Sequence, residues 1–144
     1  MTQEAYKLYS KSEAETVELG KKIAKLLKPN DCLALSGELG VGKSVLVRAV
    51  AKALGIEDEV LSPTFNIVNR YKYSGGTFNH FDVYRIKNPD ELFETGFFEY
   101  INDGISAIEW AENIARVLPE DVIFIDMKYS DNGREITVRG LDLC

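Results

Sequence analysis

A chain of 144 residues, 45% of them hydrophobic and 28% charged, is long enough for one domain with its own core, and we expect a single domain over 1–144. Its net charge of −6 argues against a broad basic surface for nucleic acid, and no apolar run approaches the roughly 20 residues that cross a bilayer. A polar start and two distant cysteines, Cys32 and Cys144, are typical of a cytoplasmic protein with free thiols.

The first half of the chain alternates between apolar runs and amphipathic segments. Residues 6–9 predict a short strand, and residues 12–15 have the capping-box pattern that begins a helix, which Pro29 ends. The continuous apolar run 32–35 favours a strand buried on both faces. A glycine-rich loop and a helix over 44–54 follow it.

The second half is richer in aromatic and β-branched residues. It predicts two antiparallel hairpins, over residues 65–83 and 122–138. Between them it predicts a buried strand over 105–108 and two short helices, over 89–96 and 111–118. The chain is therefore expected to be an α/β protein whose mixed sheet combines parallel core strands with antiparallel hairpins.

The loop has the sequence GELGVGKS, which matches G-x-x-x-x-G-K-[ST] in full between the predicted strand and helix. Glycines let backbone N–H groups turn around phosphate oxygens, and the helix N-terminus favours negative charge. In such a loop the lysine reaches the β- and γ-phosphates, and the hydroxyl binds Mg²⁺. We therefore predict a P-loop NTPase-like three-layer fold in which these residues contact the nucleotide: Gly37, Glu38, Leu39, Gly40, Val41, Gly42, Lys43, Ser44 and Val45.

Three acidic residues compete to complete the Mg²⁺ site. Asp126 follows the most hydrophobic run, but its strand is predicted to continue into the second hairpin, which makes Asp126 a mid-strand residue. Asp82 and Glu109 each follow an apolar run, and Glu109 stands at a strand-to-helix junction, where α/β sheets bind ligands. We favour Asp82 and Glu109 together; position alone leaves open which of them holds the metal and which orients a water.

Two other polar residues each have two interpretations. His80 alternates with Asp82 in a predicted strand, where it could hydrogen-bond that carboxylate or its backbone, and a structural or supporting role is favoured. Thr64 follows Pro63, which restricts the segment to an extended conformation. The Thr64 hydroxyl could sense a γ-phosphate through Mg²⁺, or the segment could be an ordinary loop.

These residues together resemble a known family. SPTF at 62–65, HFDVYR at 80–85 and IEW at 108–110, behind GELGVGKS, are similar to the motifs of the TsaE (YjeE) family of bacterial P-loop ATPases. The resemblance runs nearly end to end. Ser44 is a mild departure, since family members often carry Thr there, but either hydroxyl can reach Mg²⁺.

The resemblance implies an ATP- and Mg²⁺-dependent partner of TsaD and TsaB homologues in forming threonylcarbamoyladenosine next to the tRNA anticodon, with tRNA contacted only through that complex. It implies that the catalytic residues are Lys43, Thr64, Asp82 and Glu109, and that Ser44, Asp82 and Glu109 contact the metal. It also implies that three further residues lie beside the nucleotide: Trp110, Glu13 and Arg134. Because the loops carry no evident arginine finger, hydrolysis without the partners is expected to be weak.

Other functions stay open on the residues alone. A small-molecule P-loop kinase needs an acceptor pocket and usually an arginine-bearing lid, and the sequence has no Arg-x-x-Arg run. A nucleotide-gated adaptor would use binding without hydrolysis. A GTPase is less favoured, because neither Asn-Lys-x-Asp nor Thr-Lys-x-Asp occurs.

Overall fold

The computed structural model describes residues 5–38, 40–63 and 66–143, which form seven strands, three α-helices and two 3₁₀-helical segments. The strands are β1 (Ala5–Ser10), β2 (Cys32–Gly37), β3 (Val68–Tyr73), β4 (Gly76–Asp82), β5 (Ile105–Glu109), β6 (Ile123–Ser130) and β7 (Gly133–Arg139). The helices are α1 (Glu13–Leu26), α2 (Lys43–Leu54) and α3 (Phe97–Tyr100), and the 3₁₀ segments are Pro89–Glu94 and Ala111–Val117.

All seven strands belong to one sheet, in the order β1-β7-β6-β2-β5-β4-β3. The four strands β6, β2, β5 and β4 pair in parallel at its centre, whereas β3, β7 and β1 are added antiparallel at the two ends. The predicted α/β fold with parallel core strands and antiparallel hairpins is confirmed. Because the central strands are parallel, their carboxyl ends meet at one edge of the sheet, where α/β proteins bind ligands.

The two faces of the sheet carry separate apolar layers. On one face, α1 and α2 bury side chains such as Ile23 and Leu46 against Leu35 of β2. On the other face, α3 and the 3₁₀ segments enclose Phe81 and Phe97, whose ring centroids lie 5.0 Å apart. The longest helix, α1, has 14 residues, and no helix in the described part combines the length and apolar character needed to cross a bilayer.

Local signals place most element ends where the sequence predicts them. The Ser12 Oγ accepts the Glu15 N–H (3.2 Å) at the start of α1, but the Glu15 carboxylate accepts the N–H of Lys11 (2.9 Å) rather than that of Ser12. Helix α2 ends at Leu54, and Gly55 caps it, as expected. The two short segments predicted as helices are 3₁₀ turns, and Ile114 interrupts the second with φ −128°. Their few residues are ordered by packing on the sheet rather than by helix propensity.

A pair of glycines with similar φ angles isolates the effect of one close contact on stability. Gly104 and Gly55 have φ of 112° and 106°, but a Cβ on Gly104 would lie 2.2 Å from the Thr77 carbonyl oxygen, whereas a Cβ on Gly55 would meet nothing within 4 Å. We expect Gly55→Ala to lower the free energy of unfolding by about 1 kcal/mol, from left-handed strain alone. Gly104→Ala should cost about 2 kcal/mol more, because the backbone oxygen cannot move freely away. Urea unfolding would measure both, and equal losses would contradict the steric role of the Thr77 carbonyl.

Candidate active site

The glycine-rich loop joins β2 to α2 at the carboxyl edge of the sheet. Gly37, Gly40 and Gly42 have φ of 139°, 78° and 112°, a region that favours glycine and in which successive N–H groups can form an anion-binding concavity. A Cβ on Gly37 would lie 2.4 Å from the Met127 carbonyl oxygen, so only glycine allows this approach to β6. The exposed residue Glu38 closes the turn, since its carbonyl accepts the Val41 N–H (3.2 Å).

The β6–β7 hairpin supports the loop from one side. Nε–H of Arg134 donates to the Val41 carbonyl (2.9 Å), and the Arg134 guanidinium stacks over the Tyr129 ring at 4.4 Å. Arg134 is thus fixed against the loop that the sequence predicts to hold phosphates, although it lies 93 residues further along the chain.

A cavity of about 220 Å³ opens beside the loop, between the start of α1 and the β6–β7 hairpin. Glu13 and Arg134, which the family resemblance implies to lie beside the nucleotide, both line it, together with Val45 and the loop residues 40–42. Sequence reasoning missed the hydroxyl pair Ser10 and Thr16, whose oxygens lie 2.6 Å apart in the cavity wall. The antiparallel pairing of β1 with β7 puts Ser10 opposite Arg134 and so brings this hydroxyl pair to the hairpin side of the cavity. We call this space the outer cavity.

A second cavity, of about 290 Å³, is also lined by Gly40 and Gly42, and we call it the inner cavity. Ser62 lines it together with eight of the predicted site residues: Gly40, Gly42, Lys43, Ser44, Val45, Asp82, Glu109 and Trp110. Gly40, Gly42 and Val45 line both cavities, so one loop borders two adjoining spaces. Leu39 and Thr64, also predicted as site residues, lie outside the described residues.

Asp82 and Glu109 face the same cavity because β4 and β5 pair in parallel with these two residues opposite each other. The Ser44 hydroxyl donates to Glu109 Oε1 (3.1 Å), and the Tyr84 N–H donates to Asp82 Oδ1 (3.0 Å). Burial raises the pKa of Asp82, and the charge of Glu109 adds to this, while the Tyr84 bond opposes it.

Asp126, the rival acid, belongs to the opposite face of the sheet. It is in register with Ser36, whereas Glu109 is in register with Leu35, the preceding residue of β2. Successive strand residues point to opposite faces, so Asp126 and Glu109 are on different sides. Asp126 Oδ1 accepts the Ser36 hydroxyl (2.9 Å), and Asp126 does not line the inner cavity.

Lys43 is buried at the start of α2 without a direct ion pair among the described residues. Its ammonium donates to the Gly37 carbonyl and lies 3.4 Å from the centroid of the Trp110 ring. Burial lowers the pKa of Lys43, and the nearby charges of Glu112, Glu109 and Asp82 oppose that shift. An ammonium held this way has charge to offer an anion that enters the cavity.

His80 hydrogen-bonds Glu109, not Asp82, the partner considered from the sequence. Its Nε2 lies 2.6 Å from Glu109 Oε2, and its Nδ1 lies 3.2 Å from the Leu61 carbonyl oxygen. Alternation along β4 puts His80 on the face of Asp82, but the sheet twist and the neighbouring strand decide which carboxylate it meets. His80 therefore contacts the site rather than only the core.

The inner cavity offers oxygen donors from one hydroxyl and two carboxylates, on Ser44, Asp82 and Glu109. This donor set fits Mg²⁺, which prefers oxygen, keeps several waters and binds through one or two carboxylates plus substrate phosphates. Residues 5–38, 40–63 and 66–143 contain no group of three or more His, Cys, Asp or Glu side chains suited to a metal. The cavity thus fits Mg²⁺ delivered with a phosphate ligand better than a metal held by protein alone.

The fold and the site define a mixed-sheet α/β protein with a glycine-rich loop and an acidic cavity at the carboxyl edge. Residues 10–136 match the family model "Threonylcarbamoyl adenosine biosynthesis protein TsaE". The chain therefore belongs to the TsaE family, whose role is in tRNA threonylcarbamoyladenosine biosynthesis, and the resemblance seen in the sequence is confirmed.

Individual relatives agree with the family model. The chain is 40% identical to the tRNA threonylcarbamoyladenosine biosynthesis protein TsaE of Rickettsia conorii, over 87% of this chain and 72% of that protein. It is 36% identical to the protein of that name from Haemophilus influenzae, over 89% of this chain and 85% of that one. The crystal structure of Bacillus subtilis YdiB superposes with a TM-score of 0.82 at 31% identity, covering 99% of this chain and 89% of that one.

Proposed function

We propose that this protein binds ATP with Mg²⁺ and hydrolyses it in the cytoplasm as an accessory to a TsaD–TsaB complex that forms threonylcarbamoyladenosine on tRNA. The observation that carries the proposal is the meeting of Lys43, Ser44, Asp82 and Glu109 in one cavity beside the glycine-rich loop. No single one of these residues is specific, but phosphoryl transfer needs this combination of cation, hydroxyl and carboxylate.

The contacts of Asp82 and Glu109 suggest a different role for each carboxylate. Glu109 is buried and already accepts the Ser44 hydroxyl, so it suits the metal side of the site, where Ser44 and Glu109 act together. Asp82 is less buried, and its raised pKa improves it as an acceptor for a proton or as an anchor for the attacking water. Bound ATP and Mg²⁺ would supply the transferable phosphoryl group and the neutralising charge.

The remaining site residues suit binding rather than chemistry. Lys43 offers its ammonium to the β- and γ-phosphates, and the loop amides surround them. The outer cavity continues from Gly40 and Gly42 and has room for the nucleoside, with Glu13 and Arg134 in its wall. Trp110 covers Lys43 and thereby limits the water that reaches it.

The residues that line the inner cavity support a partner requirement. No arginine is among the described residues that line it, and arginine fingers supplied by partners are a common way to complete a phosphoryl-transfer site. The acidic balance of the chain also fits a protein that leaves tRNA binding to others. The relatives named above are threonylcarbamoyladenosine biosynthesis proteins, which supports the choice of TsaD and TsaB homologues as partners.

ATP hydrolysis should therefore be slow for the isolated chain and rise by about 10³-fold when TsaD and TsaB homologues are added. Phosphate release measured with ATP and Mg²⁺, with and without the partners, would test this. GTP in place of ATP and a reaction without Mg²⁺ are the controls. Calorimetry that detects no ATP binding would refute the proposal, and binding without any stimulation would refute the partner requirement.

A further inference from the structure

The peptide groups of Leu61, just before Ser62 of the inner cavity, are held by side chains from the β3–β4 hairpin. The Leu61 N–H donates to the Tyr71 hydroxyl (3.1 Å), and the Leu61 carbonyl accepts from Asn69 Nδ2 (3.0 Å) and from His80 Nδ1–H (3.2 Å). The Leu61 side chain is 55% exposed. Polar contacts to the backbone, rather than burial of the side chain, therefore fix this segment.

The other nitrogen of the same imidazole meets the acidic side of the site. His80 Nε2 and Glu109 Oε2 share a hydrogen bond of 2.6 Å, and both residues are almost fully buried. A carbonyl oxygen can only accept, so Nδ1 carries a proton and the orientation of the ring is fixed. The bond between Nε2 and the Glu109 carboxyl holds a second proton, on one or the other of its two atoms. The Ser44 hydroxyl lies nearer to Oε1 of Glu109 (3.1 Å) than to Oε2 (3.4 Å), the oxygen that His80 contacts.

We propose that His80 is a positioning residue that ties the two walls of the inner cavity together. One ring nitrogen sets the rotamer of Glu109, and the other sets the Leu61 carbonyl and hence the place of Ser62. The imidazole suits this task because it is rigid and carries nitrogens that point in different directions. The metal part of this inference rests on the proposed function, since it assumes that Glu109 and Ser44 meet Mg²⁺.

Three substitutions separate the two contacts. His80→Asn keeps a donor near the Nδ1 position, His80→Gln keeps one near the Nε2 position, and His80→Phe keeps the ring without either. The first measurement is amide hydrogen exchange at Leu61 in nucleotide-free protein. The second is the ratio of ATP affinities with and without Mg²⁺, and thermal unfolding of each variant reports its stability.

The expected results differ for each variant. His80→Gln should speed exchange at Leu61 by about fivefold and keep the Mg²⁺ effect on ATP affinity. His80→Asn should keep the protection of Leu61 and reduce the Mg²⁺ effect by about 10- to 100-fold, as losing a residue behind a metal ligand commonly does. His80→Phe should lose both.

Two results would overturn the proposal that His80 positions both Glu109 and the Leu61 segment. The first is that His80→Phe changes neither the exchange of Leu61 nor the Mg²⁺ effect on ATP affinity. The second is that both quantities change in parallel with the melting temperature in all three variants, which would indicate a purely structural histidine. If the wild-type protein shows no Mg²⁺-dependent ATP binding, the proposed function fails. The exchange of Leu61 then still decides whether His80 holds the segment, because that measurement needs no nucleotide.

Discussion

Replacing Lys43 with methionine is expected to weaken ATP binding by about ten- to hundredfold while the fold survives. The loss follows from removing a charged donor to the phosphates, which is worth about 1.5–3 kcal/mol. Burial lowers the pKa of Lys43, so the folded protein already disfavours its charge. Methionine keeps an unbranched side chain of similar length and removes that desolvation cost, which offsets the lost contacts of the ammonium with Trp110 and Gly37. Calorimetry with ATP and Mg²⁺ would measure the affinity, and urea unfolding the stability.

Lys52→Met is the matched control, because Lys52 is on the same helix, is exposed and lies in the last turn. It removes the same charge from the chain, so any general effect of net charge on ATP binding would appear there too. We expect its ATP affinity to stay within about twofold of wild type, as is usual for an exposed charge far from the ligand. Equal losses in both variants, or full affinity in Lys43→Met, would contradict the phosphate-binding role.

Much of this site can be predicted from the sequence because parallel strands end at one edge. The apolar run before Gly37 and the runs before Asp82 and Glu109 each predict a strand, and a sheet that contains them in parallel brings their ends together. Because β6 also pairs in parallel with β2, this reasoning alone does not exclude Asp126, which the sequence disfavours as a mid-strand residue and the structure puts on the other face. The strand patterns were sufficient to select Asp82 and Glu109, whereas the order of the strands is known only from the structure.

Contacts that depend on register and on the paths of loops could not be predicted. Nothing in the spacing of His80 and Glu109, 29 residues apart, shows that their side chains meet. The outer cavity, which Ser10 and Thr16 help to line, forms only when β7 pairs with β1, and these strands come from the two ends of the chain. Sequence patterns report which face a residue takes within its own element, whereas these contacts are decided by packing between elements.

Glu109→Gln is expected to reduce ATP hydrolysis by about 10²-fold or more, because the carboxylate that bonds Ser44 and faces the inner cavity is lost. Glutamine has nearly the same shape and can still accept from Ser44, so the fold should persist. Without Mg²⁺, ATP affinity should stay the same or rise, since one negative charge near the phosphates is gone. Phosphate release in the partner complex and calorimetry with and without Mg²⁺ would measure these effects.

Asp126→Asn makes the same change in charge on the opposite face of the sheet, where the side chain contacts Ser36. Its hydrolysis should remain within a few-fold of wild type. If Asp126→Asn is as inactive as Glu109→Gln, proximity to the inner cavity is not what makes an acid necessary, and our assignment fails.

If Glu109→Gln still supports threonylcarbamoyladenosine formation without hydrolysing ATP, nucleotide binding alone is sufficient for the function. The protein would then be a nucleotide-gated adaptor, with Lys43 and the glycine-rich loop as its working parts.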